Sequence, residues 1–209
     1  MKKYLWLGLL GLTLSQSALA EMSKFNEAVK NITKDMYFGY GFSHLSYNLS
    51  ASGAAGKPDT TASAQTFVIG RHVNDRTALE LNMLYKSSKD SFNDSGDIAT
   101  LGHSFDMEVN KYYALNFRGI AYRHDKYDAH GIIGWTRLRF LDQDNDIAQG
   151  SGLNFGLGVG AQLGRRFYLK LDWEKLPRVD YDESVWNPPL DPMHVEASLL
   201  KLQIEANVQ

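Results

Sequence analysis

No cysteine occurs in the 209 residues of this chain. Its absence excludes a disulfide scaffold, a thiol nucleophile and a lipid anchor attached to a cysteine. Beyond the first twenty residues, no stretch approaches the ~20 apolar residues that a membrane-spanning helix needs. A strong excess of one charge is also lacking, because 22 basic residues stand against 24 acidic ones. Leaving out Lys2 and Lys3 gives a net charge of −4, which offers no support for a nucleic-acid partner.

Histidine spacing gives no sign of a metal site. H-x-x-x-H and H-x-H, spacings that place two imidazoles on one side of an element, are both missing. The six histidines are His44, His72, His103, His124, His130 and His194. We therefore expect no metal and no cofactor.

Residues 1–20 have the three parts of a secretory signal peptide. Lys2 and Lys3 precede an apolar run over 4–14, and Ala18-Leu19-Ala20 forms a cleavage site. This pattern predicts export and a mature chain that begins at Glu21. Residues 21–35 then form a short lead-in, in which Phe25, Ala28, Val29 and Ile32 have the spacing of an amphipathic helix over 23–34. We expect it to pack at the periplasmic rim of the domain; the alternative is a helix on the membrane surface.

The clearest structural signal lies between Leu153 and Glu174, where apolar and polar residues alternate on both sides of Gly164-Arg165-Arg166. A period of two predicts strands, and a short link with glycine predicts a hairpin. The apolar face carries Leu153, Phe155, Leu157, Val159 and Ala161, then Phe167, Leu169, Leu171 and Trp173. The opposite face carries Lys170, Asp172 and Glu174 in mid-strand. A membrane barrel, with apolar residues toward lipid and polar ones toward the lumen, explains this arrangement.

The same alternation predicts eight strands in residues 36–209, joined by alternating long and short connections. We predict an all-β fold, an eight-stranded antiparallel up-and-down transmembrane β-barrel preceded by the short amphipathic helix. Short turns and both termini would lie in the periplasm. The long polar loops, residues 50–64, 88–105, 142–149 and 177–193, would face outward and offer sites for an extracellular ligand. In the first strand, Phe38, Tyr40 and Phe42 have one parity and Leu45, Tyr47 and Leu49 the other, which predicts a bulge between them.

A set of charged residues has the parity of the lumen in this scheme. Opposite charges in so narrow a lumen must pair, because an unpaired buried charge costs several kcal/mol. We expect a salt-bridge network that plugs the barrel; the alternative is a narrow ion pore through rearranged pairs. The predicted network consists of Glu80, Arg118, Arg137, Arg139, Lys170, Asp172, Glu174, Lys201 and Glu205.

The segments GIIGWTRLRF (131–140) and GLNFGLGVGAQLGRRFYLKLDWEKL (152–176), with the last strand, resemble the OmpA-like and opacity-protein family of eight-stranded outer-membrane barrels. The resemblance implies a monomer in the outer membrane of a Gram-negative bacterium, in contact with its lipid. Members of that family usually end in an aromatic residue that the assembly machinery reads, whereas this chain ends in Asn207-Val208-Gln209.

The function expected from this resemblance is that of a non-enzymatic barrel that presents its loops for adhesion or envelope integrity. One alternative is a lipid-modifying enzyme, since His44 and Ser46 resemble the His-x-Ser pair of the lipid A deacylases, although no acidic residue can be placed beside them from sequence. The other is a soluble periplasmic barrel for an apolar ligand, which the charged lumen set disfavours.

Overall fold

The computed structural model describes residues 27, 33–51, 59–85, 90–91, 106–141, 147–181 and 193–208. The predicted signal peptide, most of the predicted helix and part of each predicted long loop lie outside these residues. Where the structure describes the chain, it contains no helix both long and apolar enough to cross a bilayer.

Ten β-strands make up the described fold. They are β1 (Met36–Ala51), β2 (Asp59–Asn74), β3 (Thr77–Tyr85), β4 (Asp90–Ser91), β5 (Asp106–His124), β6 (Tyr127–Leu141), β7 (Ile147–Gln162), β8 (Phe167–Lys175), β9 (Val179–Tyr181) and β10 (Met193–Asn207). β4 pairs with the same edge of β5 as β3 does, but farther from the short turns. β9 lies between β7 and β10, as β8 does. The wall therefore has eight antiparallel strands, as predicted, because β4 and β9 prolong the lines of β3 and β8.

Pairing between the first and last strands closes the barrel. Tyr37 lies opposite Asn207, Ala51 lies opposite Met193, and the register between these rungs is continuous. Closure leaves no free sheet edge, which is the condition for a sheet to stand in lipid. Three short connections, at 75–76, 125–126 and 163–166, lie at the same end as the start of β1 and the end of β10.

Side chains alternate across the wall, with large apolar residues on the outside. Leu157 is 69% exposed and Trp135 is 55% exposed. Many charged residues of the same wall, among them Lys170 and Glu80, are buried on the inside. This inversion of the usual globular pattern was predicted from β7 and β8, and it extends around the barrel.

The predicted bulge in β1 is wrong. β1 pairs with β2 and β10 without a register shift, so Phe38, Tyr40 and Phe42 face outward while Leu45 and Tyr47 face inward and are buried. The apolar residues of β1 change from one parity to the other because the barrel interior changes from polar near the short turns to apolar near the long loops.

An apolar cluster fills the half of the lumen near the long loops. Its members come from β1, β2, β5, β6, β9, β10 and the link after β8, and are Leu45, Tyr47, Ala62, Val109, Tyr112, Ala114, Leu138, Phe140, Leu176, Val179, Val195, Ala197 and Leu199. The rings of Tyr47 and Phe140 lie with centroids 5.4 Å apart. Charged and amide side chains occupy the half near the short turns.

Two long connections are shorter than predicted. β2 begins at Asp59 and β7 at Ile147, so parts of the predicted loops 50–64 and 142–149 belong to the barrel wall. The predicted loops 88–105 and 177–193 likewise contain the short strands β4 and β9.

Candidate functional site

Seven of the nine residues predicted for the lumen network lie inside the barrel and are buried. β3, β5, β8 and β10 supply them, because each of these strands turns its polar parity inward. They are Glu80, Arg118, Lys170, Asp172, Glu174, Lys201 and Glu205.

Lys170 stands at the centre of the half near the turns. Its Nζ lies 3.0 Å from Glu80 Oε1, 2.7 Å from Glu205 Oε1 and 3.4 Å from Asp172 Oδ2. Arg118 joins the same carboxylates, with Nε 3.0 Å from Glu80 and a terminal nitrogen 3.3 Å from Glu205. Tyr37 donates its hydroxyl to Glu80 at 2.7 Å. Each buried cation thus has at least two buried carboxylates beside it.

Lys201 organises the next layer toward the loops. It forms a close ion pair with Glu174, lies 3.7 Å from Asp172 Oδ2 and donates to Asn82 Oδ1 at 3.2 Å. Glu174 also accepts hydrogen bonds from two amides, at 2.8 Å from Asn154 and at 3.3 Å from Asn116. This layer therefore combines ion pairs with neutral donors, and both oxygens of Glu174 have partners.

A histidine between two carboxylates belongs to the same interior and was not predicted. His130 Nε2 lies 2.8 Å from Asp172 Oδ1, and its Nδ1 lies 3.0 Å from Asp128 Oδ1. The Tyr168 hydroxyl donates to Asp128 at 2.7 Å. The sequence does contain a signal for this inward position, because Asp128, His130 and the buried Ile132 are alternate residues of β6. Glycine and isoleucine on both faces of β6 obscure that alternation.

Arg137 and Arg139 were assigned to the lumen, and that assignment is wrong. β6 turns Ile132, Leu138 and the residues of their parity inward, so Arg137 is exposed and Arg139 half-buried on the outer surface. The cause is the apolar filling of the loop half, where leucine and phenylalanine occupy the inside of β6 and leave its cations outside.

Among the described residues, the ion-pair layers and the apolar cluster follow one another along the lumen. A cavity of about 360 Å³ opens at the turn end and is lined among others by His72, Arg118, Asp128, Tyr168 and Glu205. Arg118 and Glu205 of this lining also belong to the ion-pair layers, and the apolar cluster fills the opposite half of the lumen.

His44 and Ser46 lie on the outer surface of β1, where His44 is exposed and Ser46 half-buried. Within the described part of the chain, no hydrogen bond joins the two side chains. Ser46 lies opposite Ser198 in the register with β10, and the nearest outward carboxylate on that strand, Glu196, forms an ion pair with Lys175 at 3.6 Å. The arrangement therefore lacks the nucleophile–base contact that an activated serine requires.

No cluster of three or more potential metal ligands is found among the described residues. The charged groups of the interior form ion pairs with one another, whereas both amide atoms of Gln203 have no hydrogen-bond partner among the described residues.

No protein-family model matches the sequence, and no curated protein matches it. Solved structures do match the fold. Neisserial surface protein A has a TM-score of 0.57 at 10% identity, over 83% of this chain and 97% of that chain. The outer-membrane protein OprG from Pseudomonas aeruginosa has a TM-score of 0.53 at 12% identity, over 82% and 94%. The outer-membrane protein AlkL, solved in lipid bilayers, has a TM-score of 0.55 at 18% identity, over 82% and 89%. The predicted likeness to eight-stranded outer-membrane barrels is thereby confirmed at the level of the fold.

Proposed function

We propose that the protein is a non-enzymatic outer-membrane barrel that anchors four surface loops for adhesion or envelope integrity. The observation that carries the proposal is the inversion of the wall: a closed sheet buries Lys170, Glu80 and Lys201 while it exposes a ring of large apolar side chains. Such a surface is unfavourable in water over so large an area and favourable against hydrocarbon.

Orientation follows from the connections. The start of β1, the end of β10 and the three short turns lie at one rim of the barrel. We assign this rim to the periplasm. The long connections then reach the cell exterior, where loops on a rigid scaffold commonly bind partners. A host, matrix or neighbouring-cell ligand is the class of partner that this arrangement suits, and a single barrel with a complete wall suits a monomer.

Fractionation combined with gel mobility tests the proposal. Outer membranes are isolated from cells that express the chain, and electrophoresis is run with and without boiling. We expect the protein in the outer-membrane fraction, migrating differently when unheated because a closed barrel resists detergent. Recovery as a soluble periplasmic protein without a mobility shift would overturn the membrane assignment. Protease treatment of whole cells should cut only the long connections, and cuts at the 125–126 turn would reverse the orientation.

The pore alternative is tested by conductance in planar bilayers. We expect no resolvable channel steps from the wild-type protein, since paired charges and the apolar cluster both block the lumen. Steady steps whose ion selectivity changes in an Arg118→Ala variant, with unheated gel mobility unchanged, would instead assign a conducting path through the network.

The lipid-modifying alternative is tested at Ser46. Ser46→Ala is incubated with diphosphoryl lipid A beside the wild-type protein, and the released fatty acids are measured. We expect no release from either protein, because no hydrogen bond joins His44 and Ser46 in the described part of the chain. Release that the substitution abolishes, with gel mobility unchanged, would establish the enzyme instead.

A further inference from the structure

Three cations lie together on the outside of the barrel, at the loop end of β5 and β6. Lys111 is opposite Arg139 in the register, and Arg137 lies two residues from Arg139 on the same face. Paired positions in an antiparallel sheet have Cα atoms ~5 Å apart, and alternate residues on a strand are ~7 Å apart. Like charges at such positions repel one another unless an anion lies between them.

Two other outward cations of this rim have acidic partners, whereas none is found for this cluster among the described residues. Lys175 lies 3.6 Å from Glu196, and Arg178 lies 3.4 Å from Asp180. Among the residues that the structure describes, no carboxylate forms an ion pair with Lys111, Arg137 or Arg139.

Two features beside the cations suit an incoming anion. The Nε of Arg139 is buried and has no hydrogen-bond partner in the described part of the chain. On the neighbouring strand β7, Gln149 lies opposite Arg139 and Ser151 lies opposite Arg137, so the cluster is flanked by neutral hydrogen-bonding side chains. The cluster therefore has positive charge and a spare donor, and no carboxylate neutralises it among the described residues.

The position of the cluster relative to the apolar belt indicates what the anion belongs to. The belt reaches the rung formed by Leu115, Trp135 and Leu153, and the next rungs toward the loops carry the cations. An open groove of about 520 Å³ crosses this boundary and is lined by Trp135, Arg137, Gln149, Gly150 and Ser151. Hydrocarbon at the belt places the lipid headgroups, and so their phosphates, at the level of the cations.

We propose that Lys111, Arg137 and Arg139 bind the phosphate of an anionic lipid in the leaflet on the loop side. The guanidinium groups form paired hydrogen bonds to phosphate oxygens, the geometry for which arginine is best suited. The acyl chains of the lipid lie along the groove on Trp135 and Leu153. The inference rests on the proposed function for its orientation in a bilayer.

Native mass spectrometry tests the site directly. The folded protein in detergent is incubated with diphosphoryl lipid A, and in parallel with zwitterionic phosphatidylcholine. We expect one lipid A to remain bound, and we expect Arg137→Gln/Arg139→Gln to bind it about tenfold more weakly. Arg165→Gln/Arg166→Gln removes the same charge from the opposite rim and should bind as the wild type does.

Each other outcome overturns the proposal in a recognisable way. Equal binding by the Arg137→Gln/Arg139→Gln variant would show that the cluster takes no lipid, and equal loss in both variants would show an unspecific charge effect. Binding of a soluble sulfated polysaccharide through Arg137 and Arg139, with no preference for lipid A, would assign the cluster to a soluble polyanion. Unheated gel mobility checks that every variant is folded. Failure of the outer-membrane fractionation would affect the proposed function and leave this binding result intact.

Discussion

Lys170 donates hydrogen bonds to both carboxylate oxygens of Glu80, at 3.0 and 3.1 Å, although β8 and β3 are not neighbours in the sheet. The contact therefore crosses the lumen and ties opposite walls together. Both side chains are fully buried, so neither charge has water as an alternative partner. Removing one member leaves the other uncompensated, which makes the pair a sensitive probe of the interior.

Glu80→Gln should lower the free energy of unfolding by about 3–5 kcal/mol, because Lys170 and Arg118 lose a shared carboxylate. Urea unfolding in detergent or vesicles measures the change. Asp180→Asn is the control, since it removes a carboxylate from an exposed ion pair with Arg178 and should cost less than about 1 kcal/mol. Equal losses in the two variants would mean that the interior network is hydrated.

Gly41→Ala should destabilise the barrel through a backbone collision. A Cβ at Gly41 would lie 2.7 Å from Gln203 Cα and closer still to the Leu202 backbone, neither of which can rotate away. We expect a loss of about 1–3 kcal/mol, as for overpacked cores. Gly131→Ala, where a Cβ meets nothing within 4 Å, should change stability by no more than about 0.5 kcal/mol. A reversed order in thermal unfolding would contradict the close approach of β1 and β10.

Phe140→Ala tests the apolar half of the plug. Phe140 is fully buried against Tyr47, so its truncation leaves a cavity and should cost about 3–5 kcal/mol. Phe155→Ala removes the same ring from the outer surface, where lipid fills the space, and should cost only about 1–2 kcal/mol. Similar costs in urea unfolding would show that the loop half of the lumen is not packed.

Leu157→Arg tests the outer surface. Leu157 lies near the middle of the apolar residues of β7, where an arginine in hydrocarbon should cost about 2–4 kcal/mol. Leu163 lies in the connection after β7 and is similarly exposed, so Leu163→Arg should cost about 0–1 kcal/mol. Unfolding from vesicles compares the two, and equal effects would indicate that both positions face water.

The sequence predicts the fold correctly wherever a whole strand has its polar residues facing the lumen and its apolar residues facing outward. β8 and β10 alternate leucine, isoleucine or tryptophan with lysine and carboxylates, so Lys170, Asp172, Glu174 and Lys201 were placed inside without ambiguity. Closure and the strand count followed from the same period and from the alternation of long and short connections.

The interior of the loop half could not be predicted in this way. There the lumen is apolar and part of the outer rim is cationic. An assignment that puts polar residues inside and apolar residues outside therefore gives the wrong face, as for Leu45 on β1 and for Arg137 and Arg139 on β6. Only the continuous register with neighbouring strands shows that the chain itself does not flip. Cross-lumen partners such as Lys170 and Glu80, 90 residues apart, are likewise set by barrel closure rather than by local pattern.

The central claim, that the apolar outer face contacts lipid, is tested most directly by spin-label accessibility. The chain has no cysteine, so single cysteines at Phe155, Leu157, Val159 and Arg165 can each carry one label without competing sites. Collisions with oxygen, which concentrates in hydrocarbon, are compared with collisions with a water-soluble nickel chelate in vesicles. We predict oxygen-dominated accessibility at the three β7 positions and nickel-dominated accessibility at Arg165 in the turn. Nickel access at all four positions would contradict the lipid-facing wall.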